Sequence, residues 1–133
     1  MNFDLLHPAD QLVMLMERIY QYGMTTTSGG NLSILDDNGD IWITPGSVDK
    51  GSLSRKDIIQ VKPDGTVIGI HKPSSEFPVH ARIYKSRQDI KAILHAHPPA
   101  LVAFSIVRQI PETRLIPNFV EICGNVSMAI YDV

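Results

Sequence analysis

The stretch AILHAHPPA, residues 92–100, joins the end of an apolar run to two histidines one residue apart and two prolines. Side chains alternate between the faces of a β-strand, so Ile93, His95 and His97 share one face if this stretch is extended. Two adjacent imidazoles suit a divalent transition metal, although histidines on an apolar strand are also ordinary core residues. The spacing alone does not decide between these two interpretations.

Helices and hairpins are predicted on both sides of this strand, which covers residues 89–97. Helices are expected at 7–23, 73–87 and 98–109. The first has apolar residues at helical spacing: Leu12, Leu15, Met16 and Ile19. The second is expected to be capped by Ser74 or Ser75 and to bury Val79, Ile83 and Tyr84. Turn signals at 36–39 and 62–65 predict two hairpins, from strands 31–35 and 40–45 and from strands 57–61 and 66–70. A last strand is expected at 126–133. Because several strands are joined by hairpins, we expect an α/β fold with helices on a largely antiparallel sheet.

Composition limits the class of protein. The chain has 133 residues, of which 44% are hydrophobic, so we expect a single domain over residues 1–133 with its own core. The net charge of −2 without a basic cluster argues against nucleic acid as a partner. The single cysteine, Cys123, fits a reducing compartment. With no signal-like start and no apolar run of spanning length, a soluble cytoplasmic protein without a membrane partner is expected.

Other polar groups could complete a site with the histidine pair. Glu76 could be a third metal ligand, or it could simply complement the positive end of a helix. Three short loops could present backbone N–H groups and hydroxyls to an anion: TSGGN at 27–31, TPGS at 44–47 and the serines at 74–75. Each loop alone is more often an ordinary turn, and none has the spacing of a Walker or dinucleotide motif.

Taken in order, these motifs resemble the N-terminal part of the class II aldolase/adducin family. The resemblance is carried by TSGGNLS, ITPGSVDKGSLSRKDIIQV, KPSSEFPVHARIYKSR and IKAILHAHPPALVAFS, and so by the set Gly-Asn, Thr-Pro, Ser-Ser-Glu and His-x-His. It runs from about the first helix to the last residue. The resemblance implies a three-layer α/β/α fold around a mostly antiparallel sheet, and a homotetramer with active sites at subunit boundaries.

The resemblance also implies roles for individual residues. His95 and His97 match zinc ligands, with another divalent metal as an alternative, and Glu76 matches the carboxylate that binds the metal and acts as acid and base. The positions that hold the substrate phosphate are matched by Ser28, Asn31, Gly46, Ser74 and Ser75. His80 matches a helix histidine with a supporting role.

The implied activity is zinc-dependent cleavage of a phosphorylated ketose, similar to L-fuculose 1-phosphate, to dihydroxyacetone phosphate and an aldehyde. A sugar-phosphate epimerase or dehydratase and a non-catalytic adducin-like domain are the alternatives. The family's third zinc histidine lies in a later His-His-Gly motif, and segment 108–125 contains Phe119 where aldolases use a tyrosine. We therefore expect the C-terminal part of the fold to be missing from these 133 residues, which alone should bind zinc weakly, self-associate and show little activity.

Overall fold

The computed structural model describes residues 5–115, 118–124 and 126–129. The chain divides into two compact units, Met1–His97 and Pro98–Val133. Within the described ranges no helix has both the length and the apolar character needed to cross a membrane. The expectation of one domain over residues 1–133 stays a prediction.

A five-stranded antiparallel sheet organises the first unit. Its strands are β1 (Asn31–Leu35), β2 (Ile41–Ile43), β3 (Ile59–Val61), β4 (Val67–Ile68) and β5 (Ala92–His95), in the order β4-β3-β2-β1-β5. Both predicted hairpins are present, because β1 pairs with β2 and β3 pairs with β4. The strand that carries the histidine motif, β5, pairs with the edge of β1 opposite to β2.

Helix α1 (Pro8–Gln21) covers one face of this sheet. Pro8 suits the first helical turn, and the Nδ1 atom of His7 accepts a hydrogen bond from the Ala9 N–H and so caps the helix. The apolar stripe of α1 packs on alternate residues of β1 and forms one core with them. The buried members of this core are Ala9, Leu12, Met16, Ile19, Leu32 and Ile58. The predicted stripe is therefore present, with Leu15 partly buried beside it.

Helix α2 (Phe77–Ser86) is held against the opposite face. Ser33 of β1 points away from α1, and its hydroxyl lies 2.7 Å from both His80 Nδ1 and the Tyr84 hydroxyl. Phe77 packs against a second buried cluster of β2 and β3 residues. Because α1, the sheet and α2 form successive layers, the expected three-layer α/β class with a mostly antiparallel sheet is confirmed.

The start of α2 differs from the prediction. Its N-cap is Glu76, not Ser74 or Ser75, and the helix buries His80 and Tyr84 while Val79 is 56% exposed. Pro78 fixes the first turn, and the serines before it remain in the connecting loop.

The described part of the second unit contains two helices. They are α3 (Pro99–Ile106), as predicted, and the short α4 (Phe119–Cys123), with a 3₁₀ turn at Thr113–Leu115 between them. The predicted strand at 126–133 is absent over 126–129, which have no regular structure, and the rest of that segment lies outside the described residues.

Candidate functional site: a histidine pair beside a loop-lined cavity

The two histidines meet at the end of β5. His95 is the last residue of the strand, and His97 follows it in a segment fixed by a 2.8 Å hydrogen bond from its N–H to the Met24 carbonyl. The Nε2 atoms of the two rings are 3.0 Å apart. The strand ends before His97, so strand alternation does not by itself account for this convergence, and the contact with the Met24 loop completes it.

Glu76 contacts the other side of the first ring. Its Oε2 atom lies 2.6 Å from His95 Nδ1, the nitrogen that faces away from His97. A carboxylate on Nδ1 fixes the orientation of an imidazole and directs the Nε2 lone pair outward, as it does around many metal-bound histidines. In this arrangement Glu76 orients His95.

Asn31 lies opposite His95 in the β1–β5 ladder and is 4% exposed. Its Nδ2 is 3.2 Å from His95 Nδ1, while its Oδ1 is buried without a hydrogen-bond partner among the described residues. When Nδ1 carries the proton shared with Glu76, it needs an acceptor and not a second donor. In that tautomer the contact between Asn31 Nδ2 and His95 Nδ1 is not a hydrogen bond.

The donor set fits part of a metal site. Two imidazole nitrogens that converge to 3.0 Å are suited to share one transition-metal ion. Among the described residues, however, no group of three His, Cys, Asp or Glu side chains is arranged to hold one ion. The expected third ligand, Glu76, is on the opposite side of the His95 ring and would have to turn to join the pair.

A cavity of about 680 Å³ lies beside the pair. Its lining includes Glu76 and His97. It also includes every residue expected to hold phosphate, namely Ser28, Asn31, Gly46, Ser74 and Ser75. The loops are joined by backbone contacts, since Pro45 bridges Pro73 and the Ser74 N–H donates to the Thr44 carbonyl. The loops at 44–47 and 73–75 therefore form one wall, and residues of the loop at 27–31 line the same cavity.

Glycine is required where the first loop passes under the histidines. Gly30 has a φ of +68°, and a side-chain carbon there would lie 2.8 Å from the His95 carbonyl oxygen. At Gly29 the equivalent carbon would lie 2.8 Å from His97 Nδ1. The GG pair thus lets the backbone approach the histidines more closely than any other residues would permit.

The sequence interpretation gave no role to three charged or titratable cavity residues: Lys50, His71 and Lys72. His71 stands in no recognisable sequence motif. Its Nε2 lies 2.9 Å from Asp57 Oδ1, and Asp57 accepts a 2.6 Å hydrogen bond from the Ser54 hydroxyl. That bond from Ser54 lowers the pKa of Asp57 to about 2, so the carboxylate is charged beside His71. The sequence gives little indication of this contact, because 14 residues separate His71 from Asp57.

Lys50 is the least expected member, because it is a lysine that is only 2% exposed. Ser47, in the same loop, has a φ of +57°, in the left-handed region that disfavours most side chains. Strained residues of this kind are concentrated at functional sites. Neither feature can be read from the local sequence, because both depend on how the loop folds against its neighbours.

Comparison with known proteins places this geometry in a family. Residues 10–132 match the model of the Class II Aldolase and Adducin N-terminal domain. The chain belongs to the class II aldolase/adducin family. This result confirms the family resemblance drawn from the four sequence motifs, and proteins of this family are generally metal-dependent.

Aldolases and decarboxylases both occur among the relatives of this chain in the class II aldolase/adducin family. An L-fuculose phosphate aldolase from Methanococcus maripaludis is 35% identical over 71% of this chain and 52% of its own length. A 3-oxo-tetronate 4-phosphate decarboxylase from Pectobacterium atrosepticum is 37% identical over 71% of this chain and 44% of its own. The solved structure of an L-fuculose 1-phosphate aldolase superposes with a TM-score of 0.72 at 30% identity, covering 80% of this chain and 51% of that one. The chain thus spans about half the length of the curated relatives it matches.

Proposed function

We propose that the protein is a divalent-metal-dependent lyase, with zinc as the metal, that cleaves a phosphorylated ketose similar to L-fuculose 1-phosphate into dihydroxyacetone phosphate and an aldehyde. The observation that carries this proposal is the cavity that has Glu76, His97 and the anion-type loops in one lining. The aldolases among the relatives support the same reaction. A homotetramer is part of the proposal.

His95 and His97 would hold the metal through their Nε2 atoms, with Glu76 as the further ligand when its side chain turns from His95 Nδ1. When bound, the metal supplies positive charge that polarises the carbonyl of a ketose. Glu76 is 43% exposed in its side chain, so it has room to change its contact.

Glu76 is also the proposed acid and base. In the cleavage direction, the hydroxyl next to the breaking C–C bond loses its proton to a carboxylate and becomes the aldehyde oxygen. The electron pair of the broken bond remains with the ketone fragment, whose carbon then takes up a proton. Because the carboxylate gains and returns one proton, Glu76 alone can balance both transfers.

The phosphate would be held by the hydroxyls of Ser28, Ser74 and Ser75, by the amide of Asn31 and by the backbone near Gly46. The loop at 74–76 leads directly into α2, and the partial positive charge at the start of that helix favours an anion. Binding the phosphate at these loops positions the reacting carbons near the histidine pair.

A second candidate is decarboxylation of a 3-oxo acid phosphate, favoured by the decarboxylases among the relatives. Both reactions break a C–C bond near a carbonyl and leave an electron pair that the polarised oxygen accepts. The difference is the fragment that departs, which is an aldehyde in one reaction and CO₂ in the other. Only the aldol cleavage requires a base for the hydroxyl proton.

The test supplies the purified, zinc-loaded protein with either L-fuculose 1-phosphate or 3-oxo-tetronate 4-phosphate. A coupled assay detects dihydroxyacetone phosphate, which both reactions release, and separate assays detect the aldehyde and CO₂. E76Q should lower aldol cleavage by about 10²- to 10⁴-fold, the usual contribution of a general acid or base. E17Q, which changes an exposed glutamate of α1, should have no effect. Aldol cleavage by E76Q at the wild-type rate would refute the role of Glu76. Release of CO₂ from 3-oxo-tetronate 4-phosphate without any cleavage of L-fuculose 1-phosphate would refute the aldolase proposal.

A further inference from the structure

Lys50 is fixed between two of the cavity loops. It begins a 3₁₀ turn, Lys50–Ser52, and its backbone N–H donates a 2.9 Å hydrogen bond to the Thr27 carbonyl. Its side chain donates from Nζ to the Pro45 carbonyl in the loop that contains Gly46. Lys50 lines the same cavity as Ser28 and Ser74 although it is almost fully buried.

The ammonium group has little compensation inside the protein. It carries three N–H donors, and among the described residues its recorded hydrogen bond is the one to Pro45. None of the ion pairs in the described part of the chain includes it. The carboxylate of the adjacent Asp49 accepts from the Gly51 N–H instead.

A buried ammonium without a paired carboxylate is costly. Burial lowers the pKa of Lys50 below its usual value, and the charge of Asp49 opposes this only in part. A methionine or leucine at this position would avoid the cost of burying a charge. A lysine kept here is therefore explained best by an anion that enters the cavity.

We propose that Lys50 supplies the positive charge that neutralises the substrate phosphate, so that it determines the preference of the cavity for phosphorylated over unphosphorylated sugars. This inference rests on the proposed function. Serine hydroxyls and backbone N–H groups can bind a phosphate oxygen or a sugar hydroxyl. A desolvated ammonium discriminates between the two, because its interaction with an anion is much stronger than with a neutral oxygen.

Two variants separate charge from packing. K50M keeps the approximate length of the side chain and removes both the charge and the hydrogen bond to Pro45. K50Q removes the charge and keeps a donor for that carbonyl. K56Q changes an exposed lysine outside the cavity lining and is the matched control.

The experiment measures binding of inorganic phosphate by calorimetry, together with the urea midpoint of each variant. Both Lys50 variants should bind phosphate about 10- to 100-fold more weakly, as expected for the loss of a hydrogen bond to a charged group. K50M should unfold at a urea concentration at least as high as that of the wild type, and K56Q should match the wild type in both measurements. Binding by a folded Lys50 variant as tight as that of the wild type would overturn this inference and leave the phosphate site intact. A wild-type protein that does not bind phosphate would overturn the phosphate site itself.

A measurement on the wild type keeps the test valid if the variants do not fold. The ¹⁵N resonance of the Lys50 ammonium should shift when phosphate is added and should not shift with an unphosphorylated sugar. A Lys50 resonance that does not shift at saturating phosphate would overturn the proposal.

Discussion

Replacement of Gly29 by alanine tests whether the loop and the histidine pair form one unit. A side-chain carbon at this position would lie 2.8 Å from His97 Nδ1, 3.2 Å from His97 Cε1 and 2.8 Å from the Thr26 hydroxyl oxygen. The backbone of Gly29 is outside the left-handed region, so alanine is tolerated there apart from these contacts. The His97 ring must therefore move, and the 3.0 Å approach of the two Nε2 atoms is lost.

The expected effect on stability is small and the effect on metal binding is large. His97 is exposed and can swing outward, so the free energy of unfolding should fall by about 1 kcal/mol, at the low end of the range for overpacking. Displacement of one of two converging imidazoles should weaken zinc binding by at least about 10- to 100-fold, the loss typical even for residues that only orient a ligand.

Zinc affinity is measured by competition with a chromophoric chelator, and folding by urea denaturation. G51A is the matched control, because its added carbon would lie 2.7 Å from the Tyr20 ring, in a crowded place that involves neither histidine. G51A should lose stability and keep its zinc affinity. A folded G29A protein that binds zinc as tightly as the wild type would show that the pair does not hold the metal.

Two further predictions concern pH. The hydrogen bond from Ser54 lowers the pKa of Asp57 from 3.8 to about 2, so the stabilisation from this carboxylate is complete above pH 3.8 and is lost as the pH falls toward 2. Urea titrations should show wild-type stability falling more than that of S54A over this interval, by at most about 2 kcal/mol, because His71 and the Ser54 N–H still lower the pKa in the variant. Parallel curves would refute the assignment. Burial lowers the pKa of His80 below 6.5; the charge of His95 also lowers it, and the charge of Glu76 opposes the shift. Below pH 6.5 the unfolded chain therefore binds a proton at His80 that the folded protein does not, and stability falls with the pH. H80Q should lack the resulting slope, which is at most about 1.4 kcal/mol per pH unit, and an unchanged slope would contradict this account.

Much of the fold follows from local patterns in the sequence. The stripe of α1, both hairpin turns and the strand before the histidines are encoded within single segments, and each forms as expected. The N-cap of α2 does not follow from the local sequence. The two serines before Glu76 are good local caps, but tertiary contacts place them in the cavity wall. His80 was expected to support the site, but its burial against Ser33 depends on a contact across 47 residues.

The site is only partly readable from the sequence for the same reason. His95, His97 and the serines stand in short motifs whose chemistry is recognisable before the fold is known. Lys50 and His71 carry no local motif, since a lysine in a polar loop is normally solvated and a lone histidine is normally a surface residue. Their place in the cavity results from hydrogen bonds to Pro45, 5 residues away, and to Asp57, 14 residues away.

The histidine pair is proposed as the metal-binding end of the sugar-phosphate cavity. The decisive measurement is anomalous diffraction from crystals of the protein grown with zinc, recorded on both sides of the zinc absorption edge. We predict an anomalous peak about 2.0–2.1 Å from the Nε2 atoms of both His95 and His97, the usual distance between zinc and an imidazole nitrogen. A map of well-ordered histidines with no peak between them, or with zinc bound only elsewhere, would contradict the account.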